Sequence, residues 1–190
     1  MFFSLSFNSV YECLLGFQSC PFASLAKNAY LCTMRNFPQE KITESLTIET
    51  ITSFDAPSFL VIHEVASFLY KHLDEYGDKI EDITACLEFA LHKKAGTGGF
   101  VLVAKEHDQI VGVCVINTTS MSGYIPSNTL VYIATHASTR GKGIGSHLIK
   151  KAIQLCRGGI ALHVEPDNPA KKLYEKLGFT NKYLEMRLEK

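Results

Sequence analysis

Three glycines stand on alternate positions just before a helix-like segment, in the stretch STRGKGIGSHLIKKAIQ. Gly141, Gly143 and Gly145 leave backbone N–H groups uncovered, and the dipole of the following helix favours an anion at the same point. Without side chains, the main chain can approach a phosphate closely, as in a backbone nest. Arg140 and Lys142 add positive charge beside these glycines. The stretch therefore predicts a phosphate-binding loop.

Two common phosphate-binding motifs do not fit this loop. A Walker A loop needs Lys-Ser or Lys-Thr after its last glycine, and neither dipeptide follows here. A dinucleotide-binding motif needs a third glycine where this chain has Ser146. A flexible glycine-rich turn without any ligand stays open as the simpler alternative.

The elements that position the loop follow from the spacing of apolar residues. Alternation predicts strands, and apolar residues three and four apart predict helices. Two β-branched runs joined by a short turn at Asp108 predict an antiparallel hairpin. The continuous apolar run over 128–136 predicts a strand buried on both faces. The predicted elements are strands over 45–51, 99–107, 109–117, 128–136, 159–165 and 182–190, and helices over 54–77, 78–95, 144–156 and 168–177.

That order, β-α-α-β-β-β-α-β-α-β, predicts an α/β domain with a mixed sheet. The orderly pattern begins at Glu44, so we expect the folded domain over 44–190. The segment before it is Phe- and Ser-rich, nearly uncharged and without a steady period. We expect a poorly ordered extension over 1–34, or translated sequence upstream of a start at Met34. A signal peptide is less favoured because a basic start and an uninterrupted apolar run are missing.

Composition excludes several classes of protein. The 190 residues suit one domain, and 46% hydrophobic against 20% charged residues is a globular composition. Lys+Arg and Asp+Glu both number 19, which argues against a nucleic-acid binder. No apolar run reaches the length of a membrane span. Six cysteines without a C-x-x-C pair predict no metal site and reduced thiols in a cytoplasmic protein.

The glycine loop and a second motif together resemble one protein family. Arg140-x-x-Gly143-x-Gly145, between an apolar strand and an amphipathic helix, resembles the pyrophosphate-binding signature of the GNAT superfamily of acetyl-CoA-dependent N-acetyltransferases. The stretch LHVEPDNPAKKLYEKLGF resembles the second half of that family's core, and the likeness covers about three quarters of the chain. It implies a GNAT-like mixed, mostly antiparallel central sheet flanked by helices, with acetyl-CoA as co-substrate and no metal.

The resemblance also implies roles for particular residues. The strand before the loop would separate from the next strand and pair with the pantetheine arm through Ile133 and Thr135. Tyr174 matches the family's tyrosine that protonates the leaving thiolate, although its spacing alone fits core packing. Asn168 matches an asparagine near the cofactor. The implied pyrophosphate site consists of Arg140, Gly141, Lys142, Gly143, Ile144, Gly145 and Ser146.

The sequence offers several candidates for the general base. An amine must lose a proton to attack a thioester, so a base, a water relay or a desolvated pocket is needed. The strand before the loop contains no carboxylate. His163 stands where the ribosomal-protein acetyltransferases carry a glutamate, and Glu165 shares its face by alternation. His163 fits equally well as an ordinary strand histidine, and His136 at the strand end is a weaker candidate.

Two departures from the family pattern concern the acceptor side. Asn168 precedes Tyr174 by one residue fewer than expected, which leaves Asp167 as its alternative. The chain also runs from Phe179 almost directly into the final predicted strand, without the loop that often covers the acceptor. A small or open acceptor site is therefore expected. Four acidic residues of the helical region either attract a cationic amine or form a solvated face: Glu64, Asp74, Glu75 and Glu81.

The sequence as a whole predicts an enzyme that moves an acetyl group from acetyl-CoA to a primary amine of a small molecule or peptide by direct transfer. The alternative is a catalytically silent acyl-CoA-binding sensor or regulatory module. Neither a nucleic acid nor a membrane is expected as a partner. A homodimer is compatible with the sequence, which does not determine the oligomeric state.

Overall fold

The computed structural model describes residues 45–91, 98–186 and 188. The expected extension over 1–34 and the start of the domain at residue 44 lie outside these residues. The strands are β1 (Leu46–Ile51), β2 (Gly99–Glu106), β3 (Gln109–Thr118), β4 (Asn128–Thr135) and β5 (Ile160–Leu162). The helices are α1 (Phe59–His72), α2 (Ile80–Leu91), α3 (Ile144–Leu155) and α4 (Lys171–Lys176), with 3₁₀ turns at Asp74–Tyr76 and Ala137–Thr139.

The strands form one mixed sheet in the order β1-β2-β3-β4-β5. Neighbours from β1 to β4 are antiparallel, and β5 joins β4 in parallel. One face of the sheet packs against α1 and α2 in a first apolar cluster. The other face packs against α3 and α4 in a second cluster. The predicted α/β class and mostly antiparallel sheet flanked by helices are confirmed.

The hairpin of β2 and β3 forms where the β-branched runs predict it. His107 and Asp108 make the two-residue turn with φ of 51° and 61°. This left-handed turn matches the twist of the flanking strands and tolerates aspartate. Further along β3, Gly112 lets α3 approach closely, since a Cβ there would lie 2.9 Å from Ile144 Cγ2. The hairpin thus sets the distance between the sheet and the helix that follows the glycine loop.

The first helix is shorter than the predicted span over 54–77. It begins after Ser58, whose hydroxyl accepts a hydrogen bond from the Val61 N–H at 3.4 Å, and it ends at His72. Asp74 has a left-handed φ of 53°, which breaks the helix and starts the 3₁₀ turn. Gly77, at the end of the predicted span, has a φ of −93° and an extended ψ, so it lies beyond the helix in an extended conformation.

Strand β4 buries side chains on both faces of the sheet, as predicted: Leu130 lies in the second apolar cluster, and Tyr132 and Ala134 lie in the first. Its buried residues alternate from Asn128 to Ala134, and the residues between them are half-buried or exposed. A register shift relative to β3 makes Val131 a bulge, and its side chain is 37% exposed. The bulge therefore moves the buried positions of the strand from one face of the sheet to the other.

The last two predicted strands also differ. The strand over 159–165 is reduced to Ile160–Leu162, because only these residues pair with β4. The segment over 182–186, with residue 188, forms no strand, and its apolar side chains, including Leu184 at 88% exposure, face solvent. A strand needs a neighbouring edge, and three residues of β5 offer a short one. The observed order in the described residues therefore ends at α4.

Candidate active site

The centre of the site is the point where β4 and β5 separate. The two strands pair only through Asn128↔Ile160, Thr129↔Ala161 and Leu130↔Leu162. Beyond Leu130, β4 continues to Thr135 beside β3 alone. One edge of β4 therefore lacks a β5 partner over 131–135, where backbone N–H and C=O groups can bind an extended ligand. Ile133 and Thr135, the residues predicted to pair with the pantetheine arm, lie on this stretch and are half-buried.

The glycine loop follows directly from this edge. The Ala137–Thr139 turn is fixed by Thr139, whose buried hydroxyl donates to the His136 carbonyl at 2.9 Å. Gly141 and Gly143 have φ of 79° and 84°, which only glycine adopts readily. A Cβ on Gly141 would meet nothing within 4 Å, so the main chain is open to a ligand there. Helix α3 then begins at Ile144, with the N–H groups of its first turn unpaired within the helix.

The remaining predicted loop residues do not all face outward. The side chains of Ile144 and Ser146 are buried, so the N–H groups of this turn are their means of contact with a ligand. A Cβ on Gly145 would lie 3.4 Å from Leu173 Cδ2, so this glycine sits where α3 packs closely against α4. Lys142 is exposed. The loop thus combines main-chain donors with the exposed side chains of Arg140 and Lys142.

Arg140 connects the loop to the end of α1. Its Nη2 donates to Asp74 Oδ2 at 2.6 Å and to the His72 carbonyl at 3.2 Å. The His72 ring is buried and lies 4.6 Å from the His136 ring. Burial lowers the pKa of His72, and the nearby charges of His136, Lys71 and Arg140 lower it further. The predicted phosphate-binding arginine therefore also positions the loop against the α1–α2 side.

Tyr174 lies on α4 and faces the sheet. It is 6% exposed, and its ring packs edge-on against Phe179 at 5.9 Å. Gly178, with a φ of 93°, ends the helix, and the Phe179 N–H bonds to the Tyr174 carbonyl at 3.0 Å in a Schellman motif. Burial, with a smaller contribution from Cys114, raises the pKa of Tyr174 to about 12. The hydroxyl is therefore protonated at neutral pH and available as a donor.

Asn168 holds the turn that leads into this helix. Its Oδ1 accepts the Ala170 N–H at 2.8 Å, and its carbonyl accepts the Lys171 N–H at 3.1 Å. Helix α4 begins at Lys171, so Asn168 caps the preceding turn rather than the helix itself. This turn therefore holds the β5–α4 connection in place where it enters the helix that carries Tyr174.

His163 and Glu165 follow β5 instead of lying within it. Both are exposed, and the His163 imidazole Nε2 is 3.5 Å from Glu185 Oε2. The side chain of His163 is 64% exposed. These two predicted base candidates therefore lie in water.

A carboxylate that the sequence reasoning missed as a base candidate reaches β4 from a distant segment. The buried Tyr132 hydroxyl donates to Asp78 Oδ2 at 2.6 Å. Asp78 lies in the α1–α2 connection, and Tyr132 directly follows the bulge at Val131. The contact thus brings a carboxylate to the strand that has none of its own. A pair this far apart in the chain has no short-range sequence signal.

Comparisons with known proteins agree with this geometry. Residues 97–181 match the family model of the acetyltransferase (GNAT) domain. No match is found among curated protein sequences. The fold is similar to an aminoglycoside N-acetyltransferase in complex with CoA, at 16% identity over 79% of this chain and 99% of that chain, with a TM-score of 0.56. Residues 97–181 thus belong to the GNAT acetyltransferase domain family.

Two further solved structures share the fold. A transcriptional regulator from Bacillus halodurans is 23% identical over 76% of this chain and 99% of that chain, with a TM-score of 0.56. A ribosomal-protein-alanine N-acetyltransferase from Brucella melitensis is 20% identical over 76% and 98%, with a TM-score of 0.50. At these identities the likeness concerns the fold. Within the part of the chain that the structure describes, no helix is long and apolar enough to cross a membrane, and no group of three potential metal ligands gathers.

Proposed function

We propose that this protein is an N-acetyltransferase that moves the acetyl group of acetyl-CoA to a primary amine of a small molecule or peptide by direct transfer. The observation that carries the proposal is the separation of β4 from β5 after Leu130, with the glycine loop at the end of the same strand. An unpaired main-chain edge followed by a helix N-terminus suits an amide-containing arm that ends in a pyrophosphate. Superfamily membership supports the same co-substrate.

The binding roles divide along this path. The edge at Ile133 and Thr135 would pair with the pantetheine arm. The N–H groups of Gly141 and of residues 143–146 would hold the pyrophosphate, with the Lys142 side chain supplying positive charge and Asn168 shaping the opposite wall, because the Lys142 N–H already bonds to the Thr139 carbonyl. Arg140 forms an ion pair with Asp74. It would therefore hold the glycine loop in position as well as add positive charge near the pyrophosphate.

The chemistry is attack of a neutral amine nitrogen on the thioester carbonyl carbon. The C–N bond forms, the carbonyl oxygen becomes negative, and a backbone N–H near Thr135 would stabilise that charge. The C–S bond then breaks, and the Tyr174 hydroxyl donates to the departing sulfur. A buried phenol with a pKa of about 12 remains protonated until this step. His163 and Glu165 would accept the amine proton only through water, given their exposure.

The test is release of CoA from acetyl-CoA with a panel of primary amines: spermidine, kanamycin, free amino acids and a lysine-containing tripeptide. Turnover with one class would establish the reaction and its acceptor together. Chromatographic separation of CoA is preferable to a thiol reagent, because Cys86, Cys114 and Cys156 are free thiols. Free thiols also suit a cytoplasmic location, which we propose for the protein.

A catalytically silent acyl-CoA sensor is the second candidate. The shared fold with a transcriptional regulator favours it, as does the exposed segment over 182–186 where the predicted final strand does not form. The two functions differ in one result. A sensor would bind acetyl-CoA and release no CoA with any acceptor, whereas the enzyme would turn over at least one of them.

A further inference from the structure

We propose that Asp78, held by the Tyr132 hydroxyl, is the carboxylate that binds the acceptor amine and takes the proton that its nitrogen loses. This inference rests on the proposed acetyl transfer. It assigns the general base: β4 has no carboxylate of its own, and Asp78, although exposed, is joined to that strand by the hydrogen bond from the Tyr132 hydroxyl.

The position of Tyr132 on β4 carries the argument. Leu130 is the last β4 residue paired with β5, Val131 is the bulge, and Tyr132 comes next. Tyr132 belongs to the apolar cluster beneath α1 and α2, and its hydroxyl extends to Asp78 in the connection between those helices. Asp78 is therefore anchored over the stretch of β4 where the strands separate, which is where a thioester at the end of the pantetheine arm would lie.

The opposite face of the sheet carries the donor. Tyr174 belongs to the second apolar cluster, with α3 and α4. The carboxylate and the phenol thus approach the gap between β4 and β5 from opposite faces. This separation suits acyl transfer, because the attacking nitrogen and the departing sulfur lie on different sides of the carbonyl carbon and need a proton acceptor and a proton donor respectively.

An open cleft gives an acceptor access to Asp78. It has a volume of about 730 Å³, and its lining includes Tyr70, Asp74, Asp78 and Glu81, together with Lys71 and Lys79. Asp74 is already paired with Arg140. Asp78 and Glu81 are the other carboxylates of the lining, and both can bind an ammonium group. Of these two, Asp78 is the one that is hydrogen-bonded to a side chain of β4.

Carboxylates from across the gap face the same connection. The pKa of Tyr76 is raised by desolvation and by Glu75, and further by Asp167 and Glu165 of the β5–α4 connection. Acidic groups on both sides of the gap favour a cationic acceptor over an anionic one.

Tyr132 keeps the Asp78 carboxylate in a defined orientation. Burial of the phenol and its hydrogen bond to Asp78 raise the pKa of Tyr132 well above its usual value, so the hydroxyl donates throughout the neutral range. One carboxylate oxygen is engaged by this bond at 2.6 Å. The other can accept an N–H of the amine. The bound ammonium group first gives one proton to water and becomes the neutral amine, and as the C–N bond forms its nitrogen gives a second proton to Asp78. The Tyr174 proton goes to sulfur as the C–S bond breaks, and the phenol regains a proton from water.

The test compares four variants of the full chain, with spermidine, kanamycin and a lysine-containing tripeptide as the acceptors. Asp78→Asn should lower kcat/KM for the amine by about 100-fold or more, since a positioned base contributes about 10²–10⁴-fold. Asp78→Glu should recover part of that loss. Tyr132→Phe should lower kcat/KM for the amine by about tenfold, because it removes a hydrogen bond to a charged group. Glu88→Gln removes one negative charge from α2 and should stay within about twofold of wild type.

Binding of acetyl-CoA separates this role from a structural one. In Asp78→Asn, the Kd for acetyl-CoA by titration calorimetry should stay within about twofold of wild type. If Asp78→Asn weakens the binding of acetyl-CoA by the same factor as it lowers kcat/KM for the amine, Asp78 only supports the fold, and the proposal is overturned. Full turnover by folded Asp78→Asn would also overturn the proposal, while the acetyltransferase function would stand. If Asp78→Asn does not fold, the same two quantities, kcat/KM for the amine and the Kd for acetyl-CoA, are compared in Tyr132→Phe. A loss in kcat/KM alone supports the proposal, and equal changes in both overturn it. A wild-type protein that binds acetyl-CoA but acetylates none of the three acceptors overturns the enzyme and the base together.

Discussion

Replacement of Tyr174 by phenylalanine tests the donor role with little disturbance of the fold. The ring is buried against Phe179 and the α4 end motif, and phenylalanine keeps those contacts. The substitution removes only the hydroxyl. A hydrogen bond to a charged group contributes about 1.5–3 kcal/mol, which corresponds to about 10–150-fold in rate. Because the sulfur gains charge only as the C–S bond breaks, we expect this loss in kcat and not in the Kd for acetyl-CoA.

The assay is steady-state release of CoA at saturating acetyl-CoA with the best acceptor of the amine panel. Tyr124→Phe is the matched control, because this tyrosine is 86% exposed in the β3–β4 connection and should keep wild-type kcat. Circular dichroism and a urea titration verify that Tyr174→Phe is folded. A folded Tyr174→Phe protein with kcat within about twofold of wild type would refute the donor role, since loss of the bond predicts at least about tenfold.

Three further predictions concern the contacts that hold the site. Gly112→Ala would bring a Cβ within 2.9 Å of Ile144 Cγ2, and such overpacking should lower the free energy of unfolding by about 1–3 kcal/mol in urea titrations. Asp74→Asn breaks the exposed ion pair with Arg140, which should raise the KM for acetyl-CoA by up to about fivefold, and less at high salt. The lowered pKa of His72 means that its contribution to stability is present above its unfolded pKa of about 6.5 and is lost as the pH falls through the folded value. His72→Gln should therefore show a flatter decline in thermal stability than wild type on acidification.

Each of these predictions has a simple contradicting result. An unchanged urea midpoint for the glycine variant would mean that α3 moves away at no cost. A KM for acetyl-CoA that is unaffected at low salt would mean that the ion pair does not position the loop. Parallel stability curves for wild type and the histidine variant between pH 7.5 and 5.5, a window of about two units around the unfolded value, would exclude titration of that ring.

Local patterns predicted those parts of the fold that depend on neighbouring residues. The β2–β3 hairpin needs only two β-branched runs and a turn that tolerates Asp108. The end of α4 at Gly178 needs only the residues of its own Schellman motif. The glycine loop likewise follows from the positions of Gly141 and Gly143 before a helix. In these segments the local preference and the final fold agree.

Features that depend on distant partners were not predictable in this way. The final strand was expected from alternation alone, but strand formation requires a free edge, and β5 contributes only Ile160–Leu162. The contacts of Asp78 with Tyr132 and of Asp74 with Arg140 join residues 54 and 66 positions apart. Acidic residues in a helix connection look like a solvated surface until the fold brings them to β4.

The central claim is acetyl transfer to an amine, and mass spectrometry of the acceptor tests it most directly. The purified protein is incubated with acetyl-CoA and the amine panel, and both the acetylated amine and free CoA are quantified. The account predicts one acetylated product for each CoA released, with loss of both in Tyr174→Phe. Folded protein that binds acetyl-CoA and yields neither product with any amine would contradict it.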